Sequence, residues 1–169
     1  MPKKVPKSKA DREGNKGIGG RGGGSAKRSG TYFENQVEDY FNEMSNVTAK
    51  RIIGSGAFGT ISREPRLLGD VYINWAYLDK PILAECKFGY GGKTQITIKK
   101  EWVDKIVEEA ELANRHPALL VKFKGARGGN SKLIAFTWDT WKKIMEYFEK
   151  RIDRLEVENE RLRANRTIS

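Results

Sequence analysis

Residues 70–88, DVYINWAYLDKPILAECKF, set two strand-type runs back to back, and they constrain the fold more than any other stretch. The runs 70–78 and 80–88 meet around Asp79 and Lys80, which predicts a tightly joined antiparallel hairpin. Strands this apolar have to be covered by other elements.

The flanking segments supply that cover. TYFENQVEDYFNEMS (31–45) places Phe33, Val37, Phe41 and Met44 on one helical face, with Ser29 or Thr31 able to cap its start. VTAKRII (47–53) has strand character, and QITI is a short extended piece. KEWVDKIVEEAELANR repeats Trp102, Ile106, Val107, Ala110 and Ala113 at helical spacing. ALLVKF (118–123) reads as a buried strand, KGARGGNSK as a glycine-rich turn, LIAFTW (133–138) as the returning strand, and a long helix starts near Asp139. The order α-β-β-β-α-β-β-α predicts an α/β domain, a mixed sheet with helices packed on it.

The chain has 169 residues, room for one domain with a core. It carries 32 Lys and Arg against 22 Asp and Glu, a net charge of +10, which points to a polyanion such as nucleic acid. Residues 1–30 hold nine of the bases, two acids and eight glycines but no aromatic, so they are expected to form a disordered basic arm that gains DNA affinity through counterion release. Its bland counterpart is a solubilising tail. The single cysteine, Cys86, forbids an internal disulfide and suggests a reducing, cytoplasmic setting, in a prokaryotic cell or, for a virus-encoded protein, in its host. No apolar run is long enough to span a membrane.

RIIGSGAFGTIS (51–62) contains GSGAFG, which fits the glycine-rich ATP loop of a protein kinase. The chain is too short for a kinase and lacks the V-A-I-K lysine, H-R-D and D-F-G. The glycines can still let the backbone approach a phosphate, here that of DNA.

Asp70 opens one strand, and fifteen residues later Glu85 and Lys87 project from the same face of the next, because side chains alternate with period two. Cys86 between them points the other way, into the core. Two acids and a lysine at the end of a hairpin make an oxygen site suited to Mg²⁺, with Mn²⁺ able to substitute. Alone, Glu-x-Lys is as well explained by a solvated ion pair; the glycine-Asp start, the apolar strand around it and the basic chain favour the metal.

Taken together, GTYFENQVEDYF, RIIGSG, GDVYI, LAECK and ITIKKEWVDKIVEEAE before ALLVKF resemble the archaeal-type Holliday junction resolvases of the PD-(D/E)xK nuclease superfamily. The resemblance spans residues 29–138 and implies a restriction-endonuclease-like fold: a mixed central sheet flanked by helices, here with a long C-terminal helix added. It implies structure-selective, metal-dependent cleavage of four-way DNA junctions by a homodimer. It also implies roles: Asp70 and Glu85 as metal-binding acids, Lys87 as the catalytic lysine, Glu34 as a helix-borne acid assisting the metal, Arg51 on DNA phosphate, and Ser55 contributing a catalytic hydroxyl from the glycine loop. Where the family often has Pro before the Asp, this chain has Gly69. Lys99, Lys100 and Lys105 are candidates to extend the DNA face, equally readable as solvated residues, and Lys124 with Arg127 in the glycine-rich turn either grips a phosphate or belongs to a plain hairpin turn. The competing functions are a PD-(D/E)xK nuclease of other substrate preference and a non-catalytic nucleic-acid-binding module; the joint presence of Glu34, Asp70, Glu85 and Lys87 argues against the latter.

Beyond the motifs, Met145, Phe148, Ile152, Leu155, Asn159 and Leu162 follow heptad spacing, with Arg151/Glu156 and Glu158/Arg163 at complementary flanking positions. The helix either pairs with a second copy or lies on its own domain. The expected division is an arm (1–30), a nuclease domain (31–141) and a C-terminal helix (142–169). His116 is expected at a turn, and Trp75, Trp102, Trp138 and Trp141 in the core or an interface.

Overall fold

The computed structural model describes residues 23–53, 64–90, 94–125 and 129–167. Its elements are α1 (Gly23–Asn42), β1 (Val47–Arg51), β2 (Val71–Trp75), β3 (Ile82–Phe88), α2 (Lys100–Leu112), β4 (His116–Lys122), β5 (Lys132–Ala135) and α3 (Trp138–Thr167). Element for element, this is the order expected from the apolar periodicities. The sheet runs β1-β2-β3-β4-β5, antiparallel throughout except for the parallel β3–β4 pair. That one parallel pair is reached by a crossover through α2, as parallel neighbours require.

Alternation divides the sheet into two faces. Ala49, Val71, Ile73, Ala84, Ala118 and Leu120 point to α1, where they enclose Phe33 and Val37. On the other face Leu83 meets Ile106 and Ala110 of α2, and Leu119 and Val121 meet Trp102. The i, i+4 spacing of Trp102, Ile106 and Ala110 is thus the stripe that docks α2 on the sheet. Asn114, with φ 52°, stops α2 in the left-handed conformation that asparagine tolerates. His116 then enters β4 with its N–H on the Pro81 carbonyl at 2.8 Å.

The outer edge of β1 is closed at its centre. The Asn42 side chain at the end of α1 donates to the Ala49 carbonyl (3.0 Å) and accepts the Ala49 N–H (2.8 Å), which blunts an otherwise open strand edge.

Three expectations need adjustment. Residues 23–30, assigned above to the arm, are helical: α1 starts at Gly23, so residues 1–22 are what lies outside the described part there. The β2–β3 connection is six residues, 76–81, longer than a tight joint at Asp79 and Lys80. The domain also continues past residue 141. Ile144 is buried, Phe148 packs against Trp75 at 5.6 Å, and the Arg151 guanidinium lies over the Tyr77 ring at 5.4 Å. Hence the first half of the heptad pattern serves the chain's own domain. From 152 to 165 every residue is exposed, Ile152, Leu155 and Leu162 among them. Trp102 is a core residue as expected, while Trp138 is 93% exposed and belongs to no core.

Candidate active site

The site forms where β1 ends, β2 begins and β3 ends. Asp70 immediately precedes β2; its N–H bonds the Ala84 carbonyl at 2.8 Å, and its carbonyl accepts the Ile52 N–H at 2.8 Å. The pairing Val71↔Ala84, continued by one step, sets Asp70 opposite Glu85 on the face that α2 covers. Lys87 shares that face two residues on. Cys86 faces the α1 core and contributes only its backbone: its N–H bonds Asp70 Oδ2 at 2.7 Å. Burial pushes the Cys86 thiol well up, in keeping with a core role and against a nucleophile.

Glu85 is buried with Asp70 half-buried opposite it, and their electrostatics diverge. Burial pushes Asp70 up from 3.8 to about 7, the Glu85 charge adds to this, and the Cys86 N–H partly opposes it. Burial pushes Glu85 the same way, but Lys87 and Lys105 outweigh it and hold Glu85 below its ordinary value. Glu85 is 3% exposed. Its Oε1 meets the Lys87 ammonium, and its Oε2 is 2.9 Å from Lys105 Nζ. Lys87 and Lys99 both lie over the Trp102 ring, at 5.4 and 5.7 Å, which places the two ammonium groups side by side.

Glu34 and Arg51 form a separate pair at the α1 side of the cluster, Arg51 Nη1 to Glu34 Oε2 at 3.4 Å. The Glu34 charge contributes to the upward push on Asp70, so the two acids feel each other. Among the described residues no group of three acids, histidines or cysteines converges as a cation cage. The donor set is instead two carboxylates, Glu85 buried and Asp70 half-buried, which suits a hard divalent ion that keeps several waters. Asp70 and Glu85, set opposite each other by the strand register, are the residues that could hold such an ion. Glu34, expected as a third ligand, is engaged by Arg51.

Lys100 is 86% exposed and pairs with Asp104 along the helix at 2.7 Å, the arrangement of a solvated surface pair. Ser55 with the glycine loop, and Arg127, lie outside the described residues. His116 is buried and bonds Asp79 Oδ1 at 2.8 Å, tying the β2–β3 connection to the start of β4. Sequence reasoning missed Glu109, and it set Lys105 on the DNA face or in solvent, whereas the structure turns its ammonium onto Glu85 and Glu109. Glu109 is buried and Lys105 half-buried on the flank of α2 beside Ile106 and Ala110, and only their four-residue spacing hinted at it.

A mixed sheet with an Asp opposite a Glu-x-Lys at the open end of its hairpin defines a PD-(D/E)xK nuclease. Residues 25–168 match the family described as "Phage putative PDDEXK endonuclease", and the chain belongs to that family. Among solved structures it is similar to Archaeoglobus fulgidus Hjc, a Holliday junction resolvase from an archaeal hyperthermophile. The two are 16% identical, with a TM-score of 0.44 over 61% of this chain and 72% of that one. No curated protein matches the chain. Among the described residues no helix is long and apolar enough to cross a membrane.

Proposed function

We propose that this chain is a Mg²⁺- or Mn²⁺-dependent endodeoxyribonuclease that resolves four-way DNA junctions as a homodimer. The observation that carries the catalytic reading is Asp70 set opposite the buried Glu85 with Lys87 on the same strand face. The junction preference rests on the collinear resemblance of the motifs between residues 29 and 138.

In this reading Asp70 and Glu85 hold the ion. A divalent ion held there would lower the pKa of a bound water and neutralise charge on the phosphodiester. Asp70 would bind it as the carboxylate, and Glu85 through lone pairs that its two lysine partners leave open. Lys87, beside Glu85, would offer its ammonium to the charge that develops around phosphorus. Glu34 assists from the α1 side. Arg51, Ser55, Lys99, Lys100 and Arg127 contact phosphates, and basic residues of the N-terminal arm add salt-dependent affinity. The exposed end of α3 supplies a pairing surface for a second copy: Ile152, Leu155, Asn159 and Leu162 line one stripe with opposite charges beside it, and a two-fold dimer suits a junction with two strands to nick. The setting is the cytoplasm, where chromosomal or phage DNA recombines.

The decisive assay is cleavage of a labelled four-way junction and of a linear duplex at matched concentration, with Mg²⁺ and with EDTA. Paired nicks on the junction, dependent on the ion, are expected. Equal cutting of both DNAs would replace the junction reading with that of a general PD-(D/E)xK nuclease, and binding with no cutting would leave a nucleic-acid-binding module.

A further inference from the structure

Gly69 stands where the resembled motif often has proline, and the fold around it shows what replaces the proline. Its φ is +70°, which a proline ring cannot adopt. A Cβ at this position would sit 2.7 Å from Leu83 Cγ and Cδ1 and 3.3 Å from the Ala84 carbonyl oxygen, so glycine alone fits. Unlike proline, glycine carries an N–H, and this one is buried. It is satisfied by the Oε2 of Glu109, forty residues away on α2, at 3.0 Å. Glu109 is only 7% exposed, and a carboxylate buried to that degree needs partners. Its other oxygen, Oε1, is 3.5 Å from Lys105 Nζ, the same ammonium that bonds Glu85 Oε2 at 2.9 Å.

We infer that Glu109 is a positioning residue for the acid pair. It holds Asp70 through the Gly69 N–H and holds Glu85 through Lys105, so one turn of α2 sets the spacing of both carboxylates. In a chain with proline before the Asp, a rigid ring fixes the backbone; here a glycine free to rotate is fixed from outside by a buried acceptor. The inference rests on the reading of Asp70 and Glu85 as ion ligands. It asks that Glu109 act on the ion's affinity without touching the ion, DNA or the reacting atoms.

The test uses the full-length protein with three substitutions, Glu109→Met, Glu109→Gln and Asp70→Asn, and two readouts. The first is Mn²⁺ affinity by isothermal titration, alongside the Mn²⁺ concentration for half-maximal cleavage. The second is hydrogen exchange at the Gly69 amide, followed by NMR in EDTA. Glu109→Met removes the acceptor at similar volume and is expected to weaken Mn²⁺ binding by about tenfold or more, as loss of an outer partner does. Its kcat recovers at saturating Mn²⁺, and its Gly69 amide loses protection. Glu109→Gln keeps an acceptor oxygen for Gly69 but turns an amide nitrogen towards Lys105, so it is expected to lose part of the Mn²⁺ affinity, about threefold and less than Glu109→Met, with the amide protected.

Wild-type affinity in Glu109→Met, or equal losses in the Met and Gln variants, would overturn the inference. Should Glu109→Met not fold, an unprotected Gly69 amide in wild type, or in Glu109→Gln, overturns it as well. Failure of the underlying reading looks different: Asp70→Asn would then bind Mn²⁺ as wild type does.

Discussion

Replacing Asp70 by asparagine should stabilise the ion-free protein at high pH while removing its activity. The folded protein holds the Asp70 proton up to about pH 7, whereas the unfolded chain releases it near 3.8. The contribution of this group to stability is therefore fully present below pH 3.8 and is lost as pH rises through 7. At about 1.4 kcal/mol per pH unit, the whole interval is worth about 4 kcal/mol. Between pH 5 and pH 8 the share lost is about 2–3 kcal/mol. Asparagine does not titrate, so the stability of Asp70→Asn relative to wild type should rise by that amount over the same range. For a chain of this size this corresponds to about 5–10 °C in Tm. Glu85 does not disturb the comparison, because its shift is downward from 4.5 and its contribution is lost only in more acidic solution. The assay is urea unfolding of both proteins in EDTA at the two pH values. A stability difference that stays constant with pH would refute the assignment of Asp70 as a buried acid held protonated. Mn²⁺ at pH 8 should then raise the stability of wild type and leave the variant unmoved, since only wild type binds it.

Glu85→Gln should abolish ion-dependent cleavage while junction binding measured by gel shift stays within about threefold, because catalysis and phosphate contact use different groups. Leu83→Ala removes a side chain with no exposed surface from beneath α2 and should cost about 3 kcal/mol in urea unfolding. A chain ending at Arg151 should keep its Tm at low concentration and sediment as a smaller species than the full chain; unchanged sedimentation would remove α3 from the dimer. Deleting residues 1–22, which leaves α1 whole, should weaken DNA binding and flatten its dependence on salt, and an unchanged salt slope would take the arm off the DNA.

The elements legible in the sequence were those whose apolar period answers to a single packing partner. The stripe of Phe33 and Val37, the hairpin strands and the Trp102, Ile106, Ala110 row each report one buried face. The acid pair was legible for the same reason: a period of two puts Glu85 and Lys87 on one face, and a hairpin brings Asp70 across from them. Glu109, and the turn of Lys105 towards the acid pair instead of DNA or solvent, were not legible, because a charged residue on a helix ordinarily faces water. What brings them to the site is the way α2 crosses the sheet, and no local pattern encodes that. The helix boundary at Gly23 was hidden by composition, since glycine and basic residues suggest a coil. Likewise, the heptads of α3 gave no sign of changing role at residue 151, where contact with Trp75 and Tyr77 stops.

The single parallel pair in the sheet has a consequence for how the molecule assembles. β2 and β3 form a hairpin with local contacts, whereas β4 reaches β3 only after the chain has gone out through α2 and back. Closing the shorter loop costs less entropy, so the hairpin is expected to form ahead of the crossover. The two carboxylates would then meet first, with Lys87 on the hairpin's own β3, while Lys105 and Glu109 arrive with α2. The last stage of folding would bring in both the second counter-charge and the Gly69 anchor. A chain built this way would bring its acid pair together early and gain the frame that sets their spacing only on completion, so a nascent or partly opened chain would hold Asp70 and Glu85 side by side without Lys105 and Glu109 to fix them.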